Sequence, residues 1–210
     1  MFKYVYIGIL AWVFIPLLCF FLLPGIGALF KSTRIKLFVR KIMRSCLGLS
    51  QVQTGYDDIL YQFGKLECGE IALKNAMRML GKKDVCNFTL PENSSMKDIY
   101  DVAVKHGFSV KGIKETTLQN VDAKIKESNM KVLTLLRVHY PFNGFWVYPT
   151  RFFMKLMTSK VDALHWVIIE KVTDKYVEIM DPYFGCIRIS HKKFEDVWNH
   201  IVFTISEGSR

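Results

Sequence analysis

A chain of 210 residues, half of them apolar and carrying a formal charge of +10, has room for one globular domain of ordinary size and something more. Its five cysteines include no CxxC pair, so neither a disulfide framework nor a zinc site is indicated, and free thiols suit a reducing compartment. No nucleic-acid-binding signature and no GxxxxGKS/T phosphate loop is present, which sets aside nucleic-acid and ATP-driven functions, and no cofactor is expected.

The extra length stands at the front. From Tyr4 to Phe30 the chain runs twenty-seven residues without a charge, and about 20 apolar residues suffice for a helix to cross a bilayer core. Pro16 is expected to bend this span, and Pro24, Gly25 and Gly27 to end its regular part. A cleaved signal peptide is the competing reading, but the run exceeds the usual core of about 7–15 residues. Only Lys3 precedes the span, whereas Lys31, Arg34, Lys36, Arg40, Lys41 and Arg44 follow it. That asymmetry predicts a single-pass anchor with the C-terminal domain in the cytoplasm. The same six cations account for most of the net charge. With Ile35, Phe38, Val39 and Ile42 at helical spacing, they predict an amphipathic helix on anionic headgroups. The expected organisation is therefore an anchor at 1–30, a basic segment and linker at 31–56, and a globular domain at 57–210.

Within that domain, residues 68–80 place Ala72, Leu73, Ala76, Met77 and Leu80 on one helical face, with Lys74, Asn75 and Arg78 opposite and Gly81 as the stop. SSMKDIYDVAVKHGF predicts a second helix, with Ser94 or Ser95 at the N-cap, Ile99, Val102 and Ala103 inward, and Gly107 ending it. TLQNVDAKIKESN predicts a shorter helix. Beyond Lys131 the pattern turns to strands: VLTLLRV, HWVIIEKV, YVEIMDP and CIRIS. Thr173, Asp174 and Lys175 form a hairpin turn between the middle two, and KKFEDVWNHI is expected to close the domain as a helical turn or short helix. Helices followed by an antiparallel sheet make an α+β domain. Residues 139–163, HYPFNGFWVYPTRFFMKLMTSKVDA, are crowded with aromatic and basic side chains. They read either as a long packed loop or as an element that dips into the membrane or grips substrate.

Cys68, in the first turn of its helix, is either an ordinary buried thiol or a nucleophile whose pKa the positive helix end depresses. Gly69 beside it is expected to leave room for a substrate backbone. A thiolate nucleophile needs a base and a group to orient that base. Among the histidines, His106 reads as solvated, His139 falls in the aromatic stretch, and His191 and His200 lie among lysines or near the C-terminus. His165 opens an apolar strand, as a core residue or as a site residue. Asp181 ends the next strand before a turn shaped by Pro182 and Gly185. If those strands pair, Cys68, His165 and Asp181 fall in papain-like chain order.

The stretch QFGKLECGEIALKNAMRMLG, residues 62–81, resembles the active-site segment of the double-glycine leader peptidase domain of bacteriocin-processing ABC transporters. That family carries a Gln six positions before the Cys of an Asp-Cys-Gly triplet. Gln62 and Cys68 keep the spacing, while Glu67 replaces the aspartate. The likeness continues through SSMKDIYDVAVKHGF, HWVIIEKV and DPYFGCIRISHKKFEDVW, covering roughly residues 57–200. The resemblance implies a papain-like cysteine peptidase fold, with Cys68 as nucleophile, His165 as base, Asp181 orienting it and Gln62 donating to the oxyanion. It further implies a Gly-Gly leader peptide as substrate and a bacterial cytoplasmic membrane as location, and, with no ATP-binding motif in these residues, a separate export transporter is expected as partner. Two other readings keep the fold. One is a module that holds leader peptides at the membrane without cutting them, and the other is the same chemistry on a surface or pilus-type protein.

Overall fold

The computed structural model describes residues 37–38, 41, 44, 50–52, 59–62, 67–82, 84, 87–91, 94–127, 130–137 and 164–208. The expected span at Tyr4–Phe30, the aromatic stretch 139–163 with His139, and Cys19, Cys46 and Cys86 lie outside these residues. Among the described residues no helix is long and apolar enough to cross a membrane. The strands are β1 (Ser50–Gln51), β2 (Phe108–Ile113), β3 (Met130–Arg137), β4 (Leu164–Val172), β5 (Tyr176–Asp181), β6 (Gly185–Ser190) and β7 (Trp198–Glu207). The helices are α1 (Cys68–Met79), α2 (Met96–Lys105), α3 (Leu118–Glu127) and α4 (His191–Glu195).

Contacts divide the chain into two units. In the one formed by Met1–Ser50 and Phe142–Val161, the described residues Leu37, Phe38, Lys41 and Arg44 are helical. Phe38, which the sequence places on an apolar face, is 62% exposed. The other unit, Gln51–Pro141 with Asp162–Arg210, carries the helices α1 to α4 and the strands from β2 onward.

The strand order is β1-β6-β5-β4-β3-β7-β2, and the ladders from β2 to β7 are antiparallel. Against this sheet α1 and α2 bury Ala72, Leu73, Ala76, Met77, Ile99 and Ala103, meeting Leu133, Leu135, Trp166, Ile168 and Met180. Side chains alternate between faces along a strand. The intervening Val132, Leu136, Val167 and Ile169 are buried as well, so β3 and β4 are covered on both sides. α3 packs on β3 and β4, and α4 on β5, β6 and β7. Double coverage explains why these strands read as continuous apolar runs.

Local chemistry sets the helix ends. Ser95 caps α2: its Oγ accepts from the Asp98 N–H at 3.2 Å, while Asp98 accepts from the Ser95 N–H at 2.7 Å. This reciprocal pair satisfies two of the donors that a helix start leaves open; the Ser95 hydroxyl, which donates to Asp98 Oδ2 at 2.6 Å, and then the Ser95 N–H hold the Asp98 carboxyl below its usual value. At the other end of α1, Lys82 N–H reaches Met77 O and Gly81 N–H reaches Arg78 O. Gly81 takes φ +83° there, a conformation that closes a helix readily only for a residue without Cβ.

Two strands depart from expectation. KKFEDVWNHI is helical only as far as Glu195, and its end opens β7, a ten-residue strand inserted between β3 and β2. The sequence does not signal β2, FSVKGI, either, because Gly112 and the out-of-phase Ile113 break its apolar alternation. It takes its place by pairing with β7, Phe108 opposite Glu207 through Ile113 opposite Val202. β7 itself is irregular. The β3–β7 register shifts between Thr134 and Leu136, His200 adopts φ +58°, and Thr134 Oγ1 bridges Trp198 Nε1 at 2.7 Å and Ile201 O at 2.6 Å. That buried hydroxyl gives the indole N–H and the Ile201 carbonyl a partner beside the irregularity.

The Ser95 cap leads to a direct expectation. Ser95→Ala lowers unfolding free energy by about 1 kcal/mol, read as a reduced denaturant midpoint with an unchanged slope. A midpoint equal to that of the parent chain contradicts the capping account.

Candidate active site

Cys68 is the first residue of α1, so its side chain sits where helix N–H groups have no intrahelical acceptor. Two backbone donors reach it, from Gly69 in that first turn and from Trp166 on β4. The strongest partner is His165. Burial by itself pushes the Cys68 thiol up, but the hydrogen bond and charge of His165, with the two backbone donors, outweigh it and hold the thiol below its ordinary value.

His165 stands near the start of β4, and Asp181 ends β5. The two strands pair antiparallel, Ile168 opposite Met180. His165 Nε2 meets Asp181 Oδ2 at 3.1 Å. With that nitrogen engaged, Nδ1 is the ring nitrogen left for the thiol. Burial disfavours the charged imidazole, yet the charge and hydrogen bond of Asp181, joined by those of Cys68, raise its pKa to about 10. The two shifts favour the thiolate–imidazolium form of the pair, and its two titrations belong to the pair jointly.

Asp181 is 0% exposed, so its charge must be compensated inside the protein. Its Oδ1 accepts from the Tyr183 N–H at 2.6 Å and the Phe184 N–H at 2.8 Å. The turn after β5 thus folds back onto the carboxylate, and Gly185 with φ +77° lets β6 start at once.

Gln62 is 6% exposed, and its backbone N–H donates to Pro182 O at 2.8 Å. The segment that carries it is tied to the same turn that holds Asp181. The structure therefore brings Cys68, His165 and Asp181 into one line of contacts and anchors Gln62 beside the last of them.

Gly69 and Asn75 depart from the sequence reading. The space beside Gly69 is filled rather than open: a Cβ there would lie 3.0 Å from Ser94 Cβ and 3.1 Å from Trp166 Cδ1. Trp166 cannot easily give way, because its Nε1–H donates to Ser94 O at 3.1 Å. Gly69 accordingly serves the close approach of α1 to β4, which sets Cys68 against His165. Asn75, expected on the exposed face, is buried and bonded to the backbone of Leu60. An Asn inside a helix, where it is a poor former, was the one signal pointing to such a role.

The remaining described histidines lie elsewhere. His106 is half-buried and stacks on Phe88 with ring centroids 5.3 Å apart, instead of standing free in solvent. His200 packs on the Trp198 ring and lies 3.6 Å from Glu195, and His191 starts α4. Among the described residues no group of three or more His, Cys, Asp or Glu is placed to hold a metal ion.

A helix-start thiol facing a strand imidazole in an α+β domain defines a cysteine peptidase of papain-like fold. The chain belongs to the Peptidase C39 family, whose sequence model matches residues 58–210. Among solved structures, a C39-like peptidase from Bacillus anthracis is similar at TM-score 0.51 and 11% identity, covering 77% of this chain and 100% of that one. The peptidase domain of Streptococcus ComA, a bifunctional ABC transporter of a quorum-sensing pathway, is similar at TM-score 0.49 and 15% identity, covering 72% and 99%. A double glycine motif protease from an AMS/PCAT transporter, solved with its leader peptide, is similar at TM-score 0.45 and 17% identity, covering 71% and 91%. No curated protein matches the chain by sequence.

The electrostatics fix a pH dependence. Alkylation of Cys68 by iodoacetamide follows the thiolate, so its acid limb lies below the ordinary thiol range in the parent chain. In His165→Ala the burial penalty loses its main opponent, and the limb moves up. Turnover behaves differently at high pH, falling as the imidazolium loses its proton near about 10 while alkylation continues. An unshifted limb in His165→Ala contradicts the ion pair.

Proposed function

We propose that this chain is a membrane-anchored cysteine endopeptidase that cleaves leader peptides after a Gly-Gly pair, on the cytoplasmic face of a bacterial inner membrane, for export by a separate transporter. The observation that carries the chemistry is the contact chain Cys68–His165–Asp181 within a member of the C39 family. The charge-free stretch Tyr4–Phe30 and the six cations after it support the anchor and its orientation. The Gly-Gly preference and the transporter rest on the motif likeness of residues 62–81 and on the family.

In the proposed reaction the Cys68 thiolate attacks the carbonyl carbon of the second glycine, and the carbonyl π electrons move to oxygen. The Gln62 side-chain amide and the Cys68 backbone N–H donate to that oxyanion, and one such donor is typically worth about 10²–10³ in rate. As the C–N bond breaks, His165 Nδ1–H protonates the departing amine, leaving a thioester on Cys68 and a neutral imidazole. A water molecule then gives one proton to Nδ1 and its hydroxyl to the thioester carbon, releasing the leader as a carboxylic acid that loses its proton to solvent and restoring thiolate and imidazolium. Asp181 keeps Nε2 engaged throughout, fixing the ring plane and stabilising its charge.

The test uses the full chain in detergent under reducing conditions, peptides with an apolar leader helix and a Gly-Gly junction, and mass spectrometry of the products. Cleavage after the second glycine, absent in Cys68→Ala and reduced about 10²–10³-fold in Gln62→Ala, is expected. Leader binding without any cleavage points instead to the holding module, and neither binding nor cleavage rules out this substrate class. A C-terminal alkaline phosphatase fusion checks orientation, and strong phosphatase activity overturns it.

A further inference from the structure

Asn75 is 1% exposed, in the interior of α1, two turns beyond Cys68. An amide buried there gains nothing from the helix and costs stability unless both its donor and its acceptor are satisfied. Both are satisfied by a single residue. Asn75 Oδ1 accepts from the Leu60 N–H at 2.8 Å, and Asn75 Nδ2 donates to Leu60 O at 2.9 Å. The side chain thus pairs with Leu60 as a neighbouring strand would.

The next two residues are held from the other side. A Cβ on Gly185 would lie 2.9 Å from Tyr61 Oη, so Tyr61 occupies the space that this glycine leaves. The Gln62 N–H donates to Pro182 O. Residues 60 to 62 are therefore fastened in succession to the helix that begins at Cys68 and to the turn that holds Asp181. We propose that Asn75 is a positioning residue for the oxyanion site: it references the segment bearing Gln62 to the nucleophile's own helix, so that the amide donor keeps its place relative to the Cys68 sulfur. The proposal rests on the reading of Gln62 as oxyanion donor, and its test separates the two.

Two reactions of Cys68 in the full chain make the distinction. Acylation by p-nitrophenyl acetate forms a carbon–sulfur bond, passes through a tetrahedral oxyanion and expels p-nitrophenolate to leave a thioester. Alkylation by iodoacetamide displaces iodide at a saturated carbon and develops no oxyanion. Neither reagent needs a leader peptide, so an error about the natural substrate does not obscure the result. Asn75→Ala is expected to slow acylation about 10–100-fold, the scale on which small misplacements of a catalytic group act, with the rate and pH profile of alkylation unchanged. Gln62→Ala is expected to do the same, and Asn75→Ala added to it to cost less than about 3-fold more, since the donor being positioned is already gone.

An equal further loss in the Gln62→Ala background overturns the positioning role and leaves Gln62 as donor. So does a parallel fall in alkylation, which marks general damage to α1. Unchanged acylation in Gln62→Ala overturns the donor reading itself, and the role of Asn75 with it. Should Asn75→Ala fail to fold, Asn75→Asp carries the same cycle, keeping the acceptor for the Leu60 N–H while losing the donor to Leu60 O.

Discussion

A carboxylate with no access to water governs this site. Asp181 is fully buried, and an isolated buried charge is prohibitively costly unless dipoles and a counter-charge surround it. Two backbone N–H groups of the following turn take one oxygen, and His165 takes the other. The need to satisfy that carboxylate shapes the β5–β6 turn, and the pairing of β4 with β5 brings the imidazole to it. The resulting imidazolium makes the Cys68 thiolate affordable despite its burial. Each charge is thus compensated by the next along three residues from three separate elements, and each depends on the last.

Packing sets the one distance that electrostatics cannot. α1 must approach β4 closely enough for its first residue to meet an imidazole on the strand, and Gly69 permits this by leaving room for Trp166 and Ser94. The indole bond to Ser94 O then locks the segment before α2 against the same strand. The capped start of α2, the start of α1 and the start of β4 converge there, so the residues that close the core also hold the nucleophile in place.

Legibility from the sequence followed the range of the interactions involved. The helices α1, α2 and α3 were readable because their apolar spacing, caps and terminal glycines are local signals. Four strands, β3 to β6, were readable from runs of branched and aromatic residues, and the hairpin at Thr173–Lys175 from its turn chemistry: Thr173 Oγ1 accepts from the Tyr176 N–H at 3.0 Å. β2 and β7 are not legible because β2 is made a strand by β7, and β7 by β3 and β2 on its two sides. Their pairing joins residues about a hundred positions apart, and β7 begins within a segment that reads as helix.

The sequence by itself determined where α1 and α2 start and stop, the class of the domain and the chain order of a thiol, an imidazole and a carboxylate, because these depend on neighbours within a few residues. It determined as well that a long uncharged stretch precedes a basic one. Tertiary structure alone decided that Gly69 is a packing contact rather than an opening for substrate, and that Asn75 faces inward to hold Leu60. It alone set His165 against Asp181 at hydrogen-bond distance. Those outcomes depend on which distant backbone arrives at each position, and a side chain's role there is set by the partner that packing brings to it.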